Sequence, residues 1–222
     1  MKKTLKRAKI QKQVIKIMFM QENYQNIPLF PINLSVLPYE KVSLHIFEDR
    51  YKKLINHSLD ENKTFGIVYT KNKVMSKIGT VVKINEIYKK YDDGRFDLSI
   101  KGLERFKILK SFKEDELWNA KIKILDESYE DIDKKYFNLV LDKYLKLILS
   151  SKLNDNISQY MNKKISFDFT KDVILPNSLK QDFLELENEQ KRMSFIDIFL
   201  DNLINKKKFP GDNGSFTSEV YN

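Results

Sequence analysis

The chain has only two histidines, and one of them, His45, stands in the run Leu-His-Ile-Phe-Glu-Asp-Arg-Tyr at 44–51. An imidazole close to two carboxylates and a guanidinium is the raw material of general acid–base or metal chemistry. The pattern around it points to a joint instead. Residues 44–47 alternate as a strand does, and from Phe47 onward the apolar positions 47, 51, 54 and 55 have helical spacing. Glu48 and Asp49 fall where that helix begins. His45 is therefore read as a structural residue that satisfies backbone groups at a strand-to-helix junction. Arg50 is read as the partner of a nearby carboxylate or a loop carbonyl, and His57 as an exposed residue off the stripe. Phe47 is expected to be buried with Tyr51, Leu54 and Ile55.

Other routes to chemistry close quickly. There is no cysteine, which removes disulfides, thiolate zinc sites and a cysteine nucleophile, and fits a reducing compartment. The six glycines stand at 66, 79, 94, 102, 211 and 214, so neither the G-x-x-x-x-G-K phosphate loop nor a G-x-G fingerprint exists. No H-E-x-x-H or G-x-S-x-G is present. The acidic groups Asp92-Asp93 and Glu114-Asp115-Glu116 read as turn and surface charges. No catalytic residue, metal ligand or cofactor-binding residue is assigned, and no cofactor is expected.

The net charge of +9 is unevenly spread. Residues 1–20 hold seven of the 40 Lys and Arg and no acid, so the remainder carries 33 bases against 31 acids, or +2. The leader is either a basic arm for phosphates or anionic lipid, or sequence upstream of a true start at Met18 or Met20. The apolar stretch Val14–Met20 is broken by Lys16 and falls far short of the roughly 20 residues of a membrane span. No membrane partner is expected, and the cytoplasm is the expected location.

The elements that would position any site divide the chain into four parts. Residues 1–24 are the leader, 25–126 a mainly β region with one helix, 127–206 a helical region and 207–222 a loose tail. In Arg-Phe-Asp-Leu-Ser-Ile (95–100) strict alternation marks a half-buried strand. Asp93-Gly94 before it predicts a two-residue type I′ turn, pairing Val81–Lys90 with Arg95–Ile100 as an antiparallel hairpin. Alternation recurs at 103–109 and 119–125, and several such strands suggest a barrel-like domain. Ile132, Tyr136, Leu139, Val140, Tyr144, Leu147 and Ile148 recur at helical spacing. Ser178 is expected to cap a helix through Leu179, Phe183 and Leu186, and Met193 to Leu203 a last helix. Residues 152–177 are left between strand and irregular link.

Taken together, these stretches resemble the Lon protease N-terminal, or substrate-binding, domain family. The resemblance rests on Ile-Pro-Leu-Phe-Pro (27–31), Leu-His-Ile-Phe-Glu-Asp-Arg-Tyr (44–51), Phe-Gly-Ile-Val-Tyr-Thr (65–70), Ile-Gly-Thr-Val-Val-Lys-Ile (78–84) and Asp-Gly-Arg-Phe-Asp-Leu-Ser-Ile-Lys-Gly-Leu-Glu-Arg-Phe (93–106). A Gln-x-x-Leu-Glu then Arg-x-x-x-Ile pattern follows at 181–196. It covers about residues 25–206 and marks Pro28, Phe30, Pro31, Leu44, His45, Phe47, Glu48, Arg50, Tyr51, Gly66, Gly79, Asp93, Gly94, Arg95, Gly102, Arg105 and Phe106 as structural signature positions. Three departures stand out. Asp49 replaces a usual proline, Pro38-Tyr39 stands where Pro-Gly is common, and Glu104-Arg105 where two bases are favoured.

The resemblance implies an α+β protein: a PUA-like pseudo-barrel with one inserted helix, then a helical bundle. It also implies a stand-alone member lacking ATPase and protease modules, which binds proteins and does not cleave them. Expected partners are unfolded or extended protein segments, or a protease or chaperone, with a role as adaptor or regulator in protein quality control. Tyr24, Tyr39, Tyr91 and Trp118 are the candidate peptide-binding aromatics. The alternatives are RNA or DNA binding through residues 1–20, and an enzyme of unrecognised type dependent on His45.

Overall fold

The alternation read at 95–100 and again at 103–109 belongs to one continuous strand, β6, which runs Phe96–Glu114 and is the spine of the protein. The computed structural model describes residues 24–127, 132–150 and 158–205. The basic arm at 1–20, with Met18 and Met20, and the tail at 207–222 lie outside the described residues. Around β6 stand β1 (Tyr24–Ile32), β2 (Lys41–Ile46), β3 (Phe65–Lys71), β4 (Val74–Met75), β5 (Ile78–Lys90) and β7 (Leu117–Ile124). The helices are α1 (Asp49–Asp60), α2 (Lys134–Ser150), α3 (Ser158–Met161), α4 (Ser166–Phe169), α5 (Asn177–Glu185) and α6 (Glu189–Ile204).

Pairing closes the sheet into a ring. The order β1-β7-β6-β5-β3 is antiparallel throughout, and β1 then pairs with β3 in parallel, Leu29 opposite Gly66. Inside lie Ile27, Leu29, Val68, Val81, Phe106, Ala120 and Ile122, all buried. Space is tight around Phe106. A methyl group at position 66 would stand 2.8 Å from both Leu29 Cδ2 and Phe106 Cζ, and one at 79 only 2.5 Å from the Ile67 carbonyl oxygen.

β6 changes partner along its length. Phe96–Lys101 pair with β2, and Phe106–Glu114 with β7, while β5 runs along the other side. At the changeover the turn Leu37–Glu40 is stitched to Gly102: Tyr39 N–H donates to the Gly102 carbonyl (3.0 Å) and Gly102 N–H to that of Glu40 (2.9 Å). A Cβ on Gly102 would collide with the Leu37 carbonyl. Within the turn, Glu40 N–H donates to the Leu37 carbonyl and Tyr39 takes φ 68°. The left-handed conformation that the family's Pro-Gly serves without strain is thus kept here by a tyrosine.

The joint at 44–55 differs from the sequence expectation in one residue. Leu44 and Ile46 point into the core, while His45 and Phe47 point out, so Phe47 completes the strand alternation and not the helical stripe. The helix begins only at Asp49, with Glu48 as its extended N-cap. Its buried face is Tyr51, Leu54, Ile55 and Ser58, and Phe47 is 61% exposed. Tyr51 stacks on Phe30 (3.9 Å between centroids, 25°), joining α1 to β1. Around them Val36, Leu44, Ile46, Phe65, Val82, Phe96, Leu98 and Ile100 complete a second cluster.

The β5–β6 hairpin forms as predicted, but its turn is longer than two residues. The last pair is Lys90–Phe96, which leaves five residues to close the loop. Tyr91 N–H donates to the Arg95 carbonyl and Gly94 N–H to that of Tyr91, and only Gly94 has positive φ, at 82°. Two-residue turns with both residues left-handed occur at Asn72-Lys73 and Asp115-Glu116.

The described residues divide into two compact units: the chain up to Glu127 with Ile174–Glu185, and Ser128–Val173 with the chain from Leu186. Helix α5 thus groups with the barrel. Gln181 fastens it, accepting from Ser35 Oγ (3.0 Å) and donating to the Ile78 carbonyl (3.1 Å). Ser178 lies inside the first turn of α5, not at its cap, since the Lys180 N–H already bonds the Pro176 carbonyl. In the helical unit, residues 166–169 of the ambiguous stretch form the short α4. Its start is held by Glu189, whose carboxylate accepts from the Ser166 N–H (2.6 Å), the Ser166 hydroxyl (2.7 Å) and Arg192. Both ions are buried, so each needs the other.

Leu54→Ala should lower stability by about 2–5 kcal/mol by opening a cavity. Phe47→Ala should change it by less than about 0.5 kcal/mol, as surface substitutions do. Urea denaturation of the two variants measures both.

Candidate functional site

The outward alternation of β2 and the register of β6 assemble a cluster at one end of the barrel. Opposite His45 on β2 stands Asp97 on β6. The His45 ring shares a 2.6 Å hydrogen bond through Nδ1 with Asp97 Oδ1. The other carboxylate oxygen accepts from the Tyr91 hydroxyl, also at 2.6 Å, because the hairpin folds Tyr91 back beside its own strand. Phe47 stacks on His45 at 6.0 Å and Tyr91 meets it edge-on at 6.1 Å. Two cations sit over the Tyr91 ring: Lys89 Nζ at 4.4 Å and the Arg95 guanidinium at 4.8 Å. Arg95 also donates to Asp93, and Lys52 to the Asp93 carbonyl (3.1 Å), tying α1 to the hairpin tip.

The electrostatics follow from these contacts. The bond from His45, then that from Tyr91, holds the Asp97 carboxyl below the usual aspartate range. Accepting the phenol proton, the same carboxylate pushes Tyr91 up. Asp93 is lowered by the backbone and side chain of Arg95. Arg50 pairs with Glu48 (2.6 Å) and lies over the Tyr51 ring at 4.5 Å, as expected of a partner to a nearby carboxylate. Among the described residues no three His, Cys, Asp or Glu are grouped to hold a metal ion. The arrangement is a partly exposed aromatic cluster with charges over and beside its rings.

Nearby, a cleft of about 270 Å³ opens between the C-terminal end of α1 and β5, lined by Ser58, Leu59, Asn62, Lys63, Lys83, Ile84, Asn85, Glu86 and Ile87. Ser58 Oγ is buried in it without a hydrogen-bond partner.

The family model for the ATP-dependent protease La (LON) substrate-binding domain matches residues 26–202. The chain belongs to this family. Two solved structures share its fold. One is a Lon N-terminal domain protein from Xanthomonas campestris, 20% identical, with a TM-score of 0.60, covering 83% of this chain and 99% of that one. The other is the N-terminal domain of the Mycobacterium avium complex Lon protease, 15% identical, with a TM-score of 0.68, covering 80% of this chain and 99% of that one. No curated protein matches. Only the substrate-binding domain is recognised within the 222 residues, and no helix among those described is long and apolar enough to cross a membrane.

In this LON domain the signature residues sort by contact. Phe30, Leu44 and Tyr51 are core, and Gly66, Gly79 and Gly102 are points of close approach. Arg105 is buried, donating to the Leu184 carbonyl (2.5 Å) and pairing with Glu127. His45, Asp93, Arg95 and Phe47 surround the exposed cluster.

The four candidate aromatics do not form one site. Tyr91 is in the cluster. Tyr39 is at the opposite end of β2, in the turn against Gly102. Tyr24 is exposed on β1 with Lys121 Nζ 5.7 Å from its ring, and Trp118 packs on the barrel interior. Sequence reading missed Phe47 as a surface residue, and it missed Asp97 and Lys89. The signal for Phe47 was present, since the 44–47 alternation already puts it on the side of His45.

Asp97 contributes to stability while ionised, at and above the pH of an unfolded aspartate, and that contribution is lost as pH falls through its lowered value. In an NMR titration Asp97 should ionise below the ordinary value of about 3.9, and Tyr91→Phe should raise it.

Proposed function

We propose that this LON domain is a non-catalytic protein-recognition module of the cytoplasm. It binds unfolded or extended protein segments, or a protease or chaperone that handles them, as an adaptor or regulator of protein quality control. The observation that carries this reading is the cluster of the exposed Phe47 and His45 with the half-buried Tyr91. A phenylalanine that is 61% exposed and stacked on a histidine contributes little to the core. Aromatics fixed in this way, with Lys89 and Arg95 over the Tyr91 ring, have the composition of interface anchors. His45 is held by Asp97, and among the described residues no nucleophile is bonded to it, which supports binding over catalysis. Of the four candidate aromatics, Tyr91 belongs to this surface. Tyr39 and Tyr24 are proposed as separate, weaker contacts, and Trp118 as a packing residue.

The experiment is an array of extended peptides probed with the full chain, followed by affinity measurement on the best binders. Phe47→Ala and Tyr91→Ala should each weaken binding by about tenfold to thirtyfold, or about 1.4–2 kcal/mol, with unchanged melting temperature. Peptide binding that is indifferent to both substitutions would contradict the assignment.

A further inference from the structure

The outer face of the β2–β6–β5 ribbon carries three lysines in a row. Lys41 on β2 stands directly opposite Lys101 on β6, and Lys83 on β5 stands opposite Lys101 on its other side. Residues placed in this way have Cβ atoms about 4.5–5.5 Å apart, so three ammonium stems share a patch roughly 10 Å wide. Like charges directly opposite one another destabilise a sheet. Among the described residues none of the three is in an ion pair. Glu40, next in sequence to Lys41, is committed to Lys180 and to the Leu37 N–H (2.8 Å). Glu86 lies one row further on, opposite Ser99. That second row is otherwise made of hydroxyls and an amide: Ser43 faces Ser99, and Asn85 Nδ2 donates to Ser99 Oγ (3.1 Å). The third row is His45, Asp97 and Lys89, with Phe47 and Tyr91 beside it.

The face is therefore polarised along β2, cationic at one end and aromatic at the other. The far edge of β2 pairs with no strand among the described residues. From Lys41 to His45 and Phe47 is four to six residues, about 13–20 Å in extended chain.

We propose that this face recognises an extended segment of a partner protein that carries a cluster of carboxylates and, four to six residues away, an aromatic or large aliphatic side chain. The segment lies along the unpaired edge of β2, its acids turned toward Lys41 and Lys101 with the Lys83 charge behind them, and its apolar residue against Phe47. This rests on the protein-recognition reading and specifies what is recognised. Carboxylates neutralise the unpaired row, and backbone pairing gives the β2 edge the partner it lacks. A single-stranded nucleic acid is also anionic, but it requires open aromatic faces along its phosphate track. Here the aromatics gather at the opposite end, around the Asp97 carboxylate.

The test uses the full chain and fluorescence anisotropy. The probes are a labelled ten-residue peptide with glutamates at positions 1, 2 and 3 and a phenylalanine at position 7, six residues after the first, the same peptide with lysines for glutamates, and a ten-nucleotide oligouridylate. The acidic peptide should bind at least tenfold tighter than its lysine counterpart and weaken as salt is raised from 50 to 300 mM. Lys101→Glu should reduce that affinity at least tenfold without lowering the melting temperature, because it exchanges two repulsions for two attractions. Lys101→Gln should give an intermediate loss. If both peptides bind alike and Lys101→Glu is within twofold of the parent, this inference fails and protein recognition survives. If no peptide binds at all, both fail. Oligouridylate binding that is lost in Lys101→Glu, without acidic-peptide binding, would transfer the face to nucleic acid.

Discussion

Everything along β2 and the outer face of the barrel depends on one steric constraint, the approach of the Leu37 carbonyl to Gly102. The strand β6 is nineteen residues long and must serve two different neighbours on the same side, β2 first and β7 afterwards. The change of partner is possible because the chain from β1 turns at Leu37–Glu40 directly against a residue without a side chain. That contact fixes where β2 begins, and the β2 register then fixes which residues face Asp97 and which face Lys101. The turn holds this position although Tyr39 is left-handed, a conformation that costs a bulky residue of order 1 kcal/mol or more. Its hydrogen bonds to Gly102 and the Glu40 side chain, held by Lys180 and the Leu37 N–H, oppose that cost.

From this anchor the joint at 44–51 follows without any appeal to catalysis. Two periodicities meet there with one residue between them. The strand keeps its period through Phe47, Glu48 is extended, and the helix takes over at Asp49. The period change leaves one aromatic residue on the outside. In the core it would have added one more buried ring. Outside, with His45 and Tyr91, it becomes part of an aromatic cluster bordered by charges.

Much of the architecture was legible in the sequence, for physical reasons that can be named. Period-two alternation announced β6 and the β5–β6 hairpin, and period 3.6 announced α2 and α6, since one face of each is buried. The residues 181–196 showed their pattern because Gln181 and Arg192 are buried hydrogen-bonding side chains with few substitutes. What was not legible depended on register or phase. Whether Phe47 belonged to strand or helix turned on the start of α1, and the Glu48-Asp49 pair allows more than one start. The turn at 91–95 was mis-sized because Asp-Gly suits both a two-residue turn and the longer turn with a left-handed glycine. The lysine row was invisible because Lys41, Lys83 and Lys101 are far apart in sequence and meet only through the pairing of three strands.

Recognition is proposed to take place on the outer face and hairpin end of the barrel. Amide chemical-shift mapping of the full chain, titrated with a permanently unfolded, carboxymethylated protein, tests it most directly because every described element reports at once. Binding at that surface should concentrate the shifts in residues 39–47, 83–97 and 99–102, saturating together. Shifts confined to α2 and α6, or none at saturating ligand, would contradict it.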